Sequence, residues 1–201
     1  TTNALDEATR APAERIYRAA QEAAECVTVL LLLARAPELG CLPPVSVAAI
    51  AAREAERYRS LVAGKAVTLD YLGGPDFAIQ APAELCAAAI GNLVRNACQY
   101  TEQGAITVAL APGRIVVEDT GPGLPAAVRA TLARPGILPA AMPSRGSGGT
   151  GLGLSIALED THLHGGWLQA WGQPGKGSQF RLTLPRHAGQ QHQAERNDAV
   201  E

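Results

Sequence analysis

The chain has 201 residues, 47% of them hydrophobic, and a formal net charge of −2. That size and apolar content suffice to bury the core of one medium domain with an appendage, and the balanced charge, free of like-charge blocks, excludes the basic stripe that nucleic acid or an anionic membrane surface requires. The longest apolar stretch, residues 27–34 around four consecutive leucines, is far below the roughly 20 residues that cross a bilayer, and no signal-peptide pattern opens the sequence, so a soluble piece is expected.

Residues 1–11 are polar and aperiodic, and Pro12 stands where the first turn of a helix tolerates it. From there Ile16, Ala20, Ala23, Val27, Leu30 and Ala34 alternate steps of four and three, the seam spacing of helices that pack against long neighbours. Cys26, Val29 and Leu33 widen the stripe, which predicts contact with more than one partner helix; folding back onto the chain's own domain is the alternative. Pro37, Gly40, Pro43 and Pro44 end this helix and form a connector.

A second helix is predicted over residues 45–63, with Val47, Ile50, Ala51 and Leu61 on its apolar side and Gly64 as its stop. Residues 67–72 and 77–80 read as strands flanking a Gly73-Gly-Pro75-Asp turn, a hairpin-like signal, and residues 83–101 read as a long helix. Strand pairs follow at 106–110 with 114–118, joined by Ala-Pro-Gly113, and at 167–171 with 179–184, joined by a loop holding Pro174, Gly175, Lys176 and Gly177. Helices alternating with antiparallel pairs predict an α+β fold, a two-layer α/β sandwich with helices on one face of a mixed sheet, preceded by one long α-helix. Beyond Arg186 the sequence turns polar and Gln-rich, and a disordered tail is expected. The expected organisation is an appendage over 1–40, a domain over 41–187 and a tail over 188–201. The four cysteines, Cys26, Cys41, Cys86 and Cys98, lack CxxC spacing and sit mostly in apolar sequence, which reads as buried thiols in a reducing compartment.

Three blocks in fixed order carry the chemistry. Asn92 and Asn96 are four apart on the predicted helix, so their amides project from one face toward one ligand. A carboxamide oxygen is neutral and hard, which suits a cation such as Mg²⁺ that bridges nucleotide phosphates. Asp119 ends the apolar run Ile115-Val-Val117 and is followed by Gly121 and Gly123, placing a carboxylate at a strand rim where backbone approaches a flat ligand closely; an Asp that merely begins a turn is the alternative. Gly149, Thr150, Gly151, Leu152 and Gly153 run straight into an apolar helical pattern, so successive N–H groups at a helix N-terminus can face a triphosphate. No Gly-Lys-Ser/Thr follows, so this is not a P-loop.

The set resembles the ATP-binding region of sensor histidine kinases, in the superfamily shared with DNA gyrase, heat-shock chaperones and mismatch-repair ATPases. The resemblance spans roughly residues 12–186, specific at the three blocks and looser elsewhere. It implies ATP and Mg²⁺ as ligands, Asn96 as the metal ligand, Asp119 as acceptor of the adenine amino hydrogen bond, and Tyr100 as the residue packing on adenine, although a core aromatic would look the same. Where the hydrolysing members carry a Glu as general base this chain has Asn92, and an amide takes no proton near neutral pH, which points to phosphoryl transfer to an imidazole. The Pro-, Ala- and Gly-rich stretch between Gly123 and Gly149 resembles the family's lid. Its Arg145 either reaches the γ-phosphate or is a solvated loop residue. Ser178 resembles the residue that fixes adenine through water, and His164 reads as structural.

Three departures stand out. The lid stretch has no phenylalanine from Leu124 to Gly148. Gln99 occupies the place of a phosphate-directed Lys or Arg, with Arg95 one turn back as a substitute. None of the four histidines, His162, His164, His187 and His192, lies on the N-terminal helix, which resembles the second helix of a dimeric bundle. The chain is therefore expected to begin just after the helix bearing the phosphoacceptor His. The implied partners are that acceptor helix, a response regulator, and a second copy through the bundle, with no nucleic acid; the implied location is the cytoplasmic part of a membrane-bound sensor. A nucleotide-binding regulatory module that has lost phosphotransfer is the second reading, while a serine kinase of the anti-sigma type is disfavoured by the long N-terminal seam.

Overall fold

The computed structural model describes residues 43–126 and 165–184 without a break, together with the helical positions Pro12, Ile16, Ala20, Val27, Arg129, Ala157 and Thr161. The helix ahead of the domain is thus seen at four positions, all exposed; Ile16 is 70% and Val27 54% exposed. The leucine run, Cys26, Cys41 and the tail lie outside the described residues.

A short strand, β1 (Val45–Ser46), leads directly into α1 (Val47–Tyr58). The Ser46 hydroxyl accepts from the Ala49 N–H at 3.1 Å and donates to Asp76 Oδ2 at 2.7 Å, while Asp76 Oδ1 accepts from the N–H groups of Ala48 and Phe77 at 2.9 and 2.8 Å. An anionic carboxylate and a hydroxyl therefore share the orphan donors at this N-terminus. Replacing Asp76 with Ala should cost about 1–2 kcal/mol, seen as a fall of a few degrees in Tm. The predicted helix over 45–63 is shorter than expected, because after Tyr58 the chain tightens into a 3₁₀ turn (Arg59–Val62). That change of pitch rotates the apolar phase. Val62 is buried instead of Leu61, which is 43% exposed.

β2 (Ala66–Gly73) does not form the expected hairpin with β3 (Ala78–Ile79). It pairs in parallel with β4 (Gln103–Ala111), whereas β3 pairs antiparallel with β1 in a separate two-stranded sheet. The reason lies in the turn. A Cβ on Gly74, at φ 136°, would stand 2.1 Å from the Leu110 carbonyl oxygen, so the chain crosses close over the end of β4, and the Asp76 contacts then hold it against the start of α1.

Between β3 and β4 runs the long helix α2 (Ala83–Tyr100), with Leu85, Ile90, Leu93 and Val94 at most 1% exposed. Burying each such side chain is worth about 1.5–3 kcal/mol. Gly91 sets the spacing to α1: a Cβ there would lie 3.0 Å from Glu54 Oε2 and 3.2 Å from the Tyr58 ring. Glu54 is buried, and it is neutralised by Arg53 and Arg57 at 3.2 and 3.3 Å. Cys86 and Cys98 are buried on α2 as expected; desolvation pushes the Cys98 thiol up to about 11, against the opposing pull of Lys65.

β4 turns through Gly113 into β5 (Arg114–Asp119), and β6 (Trp167–Gly172) and β7 (Ser178–Thr183) complete a five-stranded sheet of order β2-β4-β5-β7-β6. All pairings except β2 with β4 are antiparallel. Alternation along the strands puts Ile106, Val108, Ile115, Val117, Phe180 and Leu182 on the helix side, all buried. The result is the predicted two-layer α/β sandwich with a mixed sheet. Among the described residues no helix is long and apolar enough to cross a membrane.

Candidate functional site

The site is assembled where the end of α2 meets the end of β5. Asn92, Asn96 and Tyr100 are spaced by four on α2, so they lie along one side of the helix with about 6 Å of rise between successive members. Asn92 is only 2% exposed, and its Oδ1 accepts from the Arg95 guanidinium at 2.6 Å. That bond fixes the amide orientation and leaves Nδ2, a buried donor, without a protein partner. An unpaired buried donor costs about 1–3 kcal/mol, a penalty relieved when an acceptor such as a phosphate oxygen or its water arrives. Asn96, one turn on, is half-buried.

Asp119 closes β5 with its side chain on the helix side, in the same phase as Ile115 and Val117. Its Oδ1 accepts from the Gly121 N–H at 2.9 Å, which holds the carboxylate over the turn. Thr120 anchors the same turn to β4: its hydroxyl accepts from the Ala105 N–H at 3.0 Å and donates to the Gln103 carbonyl at 3.2 Å. Gly121 is where the two elements touch. A Cβ there would meet Asp119 Oδ1 at 2.9 Å, Thr101 Oγ1 at 3.0 Å and the Tyr100 carbonyl oxygen at 3.3 Å. The structure thus brings Gly121, beside the Asp119 carboxylate, against the Tyr100 backbone carbonyl, and adds Thr101, a fully buried residue whose hydroxyl has no partner. Nothing in the sequence marked Thr101 beyond the end of a helix.

Gly123, at φ 76°, packs against the loop between β6 and β7: a Cβ on it would stand 2.0 Å from the Gln173 carbonyl oxygen, and Gly175 N–H donates to the Pro122 carbonyl at 2.9 Å. Ser178 pairs directly with Asp119 across the β5–β7 ladder and is buried. An open groove of about 630 Å³ touches Asp119 from the other side, lined by Thr107, Glu118, Trp171, Lys176 and Gln179. Those residues alternate with the buried ones, so the groove lies on the sheet face away from the helices and from the Asn92 row.

Arg145 and the block Gly149, Thr150, Gly151, Leu152 and Gly153 lie outside the described residues, as does His164. Beyond that block Ala157 and Thr161 are helical and buried, with the Thr161 hydroxyl donating to the Ala157 carbonyl.

Residues 83–188 match the family of histidine kinase-, DNA gyrase B- and HSP90-like ATPases, more than half of the chain. The chain belongs to this ATPase family. Among curated relatives of this ATPase domain, the sensor histidine kinase MtrB of Mycolicibacterium paratuberculosis is 45% identical over 101 residues, covering 47% of this chain and 17% of MtrB. The sensor histidine kinase CpxA of Escherichia coli K12 is 31% identical over 185 residues, covering 86% of this chain and 39% of CpxA. The chain therefore spans well under half the length of these two relatives. A mycobacterial sensor histidine kinase, MprB, shares the fold at a TM-score of 0.56 and 24% identity, covering 72% of this chain and 99% of that structure. Family membership makes an ATP-binding domain the plain description of the region from α2 onward.

Proposed function

We propose that this chain is the ATP-binding catalytic part of a sensor histidine kinase, transferring the γ-phosphoryl group of ATP to a histidine outside residues 1–201 for relay to a response-regulator aspartate. The observation that carries the proposal is Asn92. A water-activating base in this family would have to accept a proton at this position, and a carboxamide whose oxygen is already engaged by Arg95 cannot. The chain instead offers a donor, Nδ2, to the phosphates. Where the end of α2 meets β5, Asp119, held by the Gly121 N–H, would present an acceptor for an exocyclic amine near the Tyr100 carbonyl.

In the transfer the β–γ bridging P–O bond breaks, an N–P bond forms on the acceptor imidazole, and ADP leaves. The chain's part is positioning and charge neutralisation. Asn96, whose neighbour one turn back has its oxygen engaged by Arg95, is the amide that would hold Mg²⁺ jointly with the phosphates; the ion would draw charge from the γ-phosphoryl oxygens. Arg145 and the 149–153 backbone would meet the phosphates from the lid side. The exposed Ile16 and Val27 suit a helix whose seam meets bundle partners, including a second copy, and sensor kinases as relatives suit a cytoplasmic piece of a membrane-bound sensor.

Calorimetric titration with ATP and Mg²⁺ should give a dissociation constant in the micromolar to millimolar range, and a separate polypeptide carrying the acceptor helix should take label from γ-labelled ATP. Binding without labelling would instead identify a regulatory module that has lost transfer. Absence of binding would sink both.

A further inference from the structure

We propose that Lys65 is a positioning residue for the base end of the nucleotide site, an inference that rests on the ATP reading above. Lys65 lies between the 3₁₀ turn and β2, far from α2 in sequence. Its ammonium nevertheless donates to the carbonyls of Cys98, Gln99 and Thr101 at 3.0, 3.4 and 3.2 Å, and pairs with Glu102 at 3.0 Å. Those carbonyls belong to the end of α2, where the backbone acceptors run out of intrahelical partners and the helix dipole leaves negative charge. The last turn of α2 has no basic residue of its own. Lys65 supplies that cation from a neighbouring segment.

Within the helix the last buried residue is Cys98; Gln99 and Tyr100 are half-buried, and the fully buried Thr101 closes the helix with its N–H on the Ala97 carbonyl at 3.0 Å. Over this half-buried stretch Lys65 adds a hold on the carbonyl on each side of Tyr100. The Tyr100 carbonyl and the Thr101 hydroxyl in turn abut Gly121, whose N–H orients Asp119. A continuous series of contacts therefore runs from the Lys65 ammonium to the carboxylate that faces the base. The exposed pair with Glu102 adds little, since Glu102 is 75% exposed.

The test compares Lys65→Met, which keeps the length and loses the donors, with Lys65→Arg, which keeps donors, and with Asp76→Ala, which destabilises the domain at the start of α1 instead. Dissociation constants for ATP, ADP and adenosine are read by calorimetry at 10–15 °C, a range set by roughly where a mesophilic domain is most stable, with and without Mg²⁺, alongside Tm. Lys65→Met should weaken all three ligands by a similar factor of about ten, the size expected for losing a charge-assisted cap. The ratio of ATP affinities with and without Mg²⁺ should not change, Lys65→Arg should recover most of the loss, and Asp76→Ala should lower Tm with affinity intact. Parental affinity in Lys65→Met, or an equal loss in Asp76→Ala, would reduce Lys65 to a structural cap and leave the ATP reading standing. A parent that binds no nucleotide overturns both.

Discussion

Asp119→Asn is expected to abolish measurable ATP binding, a loss of about 100-fold or more, as for a charge-assisted hydrogen bond replaced by two facing donors. The substitution is informative because it separates ligand from fold. Asn keeps an Oδ1 that can accept from the Gly121 N–H, now at 2.9 Å from Asp119 Oδ1, so the turn after β5 stays closed. What changes is the second terminal atom, from an oxygen that, on the function proposed above, would accept the base's amino hydrogen to an NH₂ group that would oppose it. Tm should therefore move by no more than a degree or two, the range of ordinary surface substitutions, while calorimetric heat disappears. Retained binding would place the base elsewhere and remove Asp119 from the site.

Gly177→Ala should have the largest effect on stability. Gly177 has φ 81°, and a Cβ there would stand 2.0 Å from the Asp119 carbonyl oxygen and 3.0 Å from its carbonyl carbon. Both are backbone atoms of Asp119 at the end of β5, so relief of the clash must move β5 or open the ladder to β7. The expected cost is roughly 3 kcal/mol or more, from overlap added to left-handed strain, with ATP binding lost even where the chain remains folded. Gly175 is the control. It has nearly the same φ, 76°, but nothing within 4 Å of its would-be Cβ. Gly175→Ala should cost only about 1 kcal/mol, the torsional part alone. Thermal melts of the two variants separate crowding from torsion, and equal shifts would show that the contact with Asp119 is not the source.

The layers of the fold were legible because local pattern and burial agree. α2 follows from one continuous apolar stripe between Pro82 and Thr101, and the paired strands from alternation on either side of Gly113 and of the loop that holds Pro174, Gly175 and Gly177. The hairpin expected around Gly73 failed for a reason no window of sequence contains: Gly74 lets the chain pass over the Leu110 carbonyl, 36 residues away in sequence. Leu61 was misplaced because a helix and a 3₁₀ turn share composition but not phase.

The candidate site divides in the same way. The side chains proposed to meet the nucleotide, Asn92, Asn96 and Asp119, stand out by type and spacing. Thr101 and Lys65 do not, since one is a buried hydroxyl at a helix end and the other acts on backbone carbonyls that carry no sequence signal. The engagement of Asn92 by Arg95 was also hidden, because Arg95 looked like a phosphate ligand when read as an isolated cation.

Both tryptophans of the chain sit on β6, the strand at one edge of the sheet, and both are partly exposed. The Trp171 indole lies 4.7 Å from the Arg181 guanidinium and adjoins Gly172, where an added Cβ would lie 2.8 Å from the Gly177 carbonyl oxygen and 3.3 Å from the Leu124 nitrogen. A fluorophore is therefore built in beside the loop that backs Asp119, with a stacked cation as a potential quencher. Trp167, at the far end of the same strand, adds a background that a Trp167→Phe variant would remove, so emission from Trp171 can follow this corner of the domain in real time.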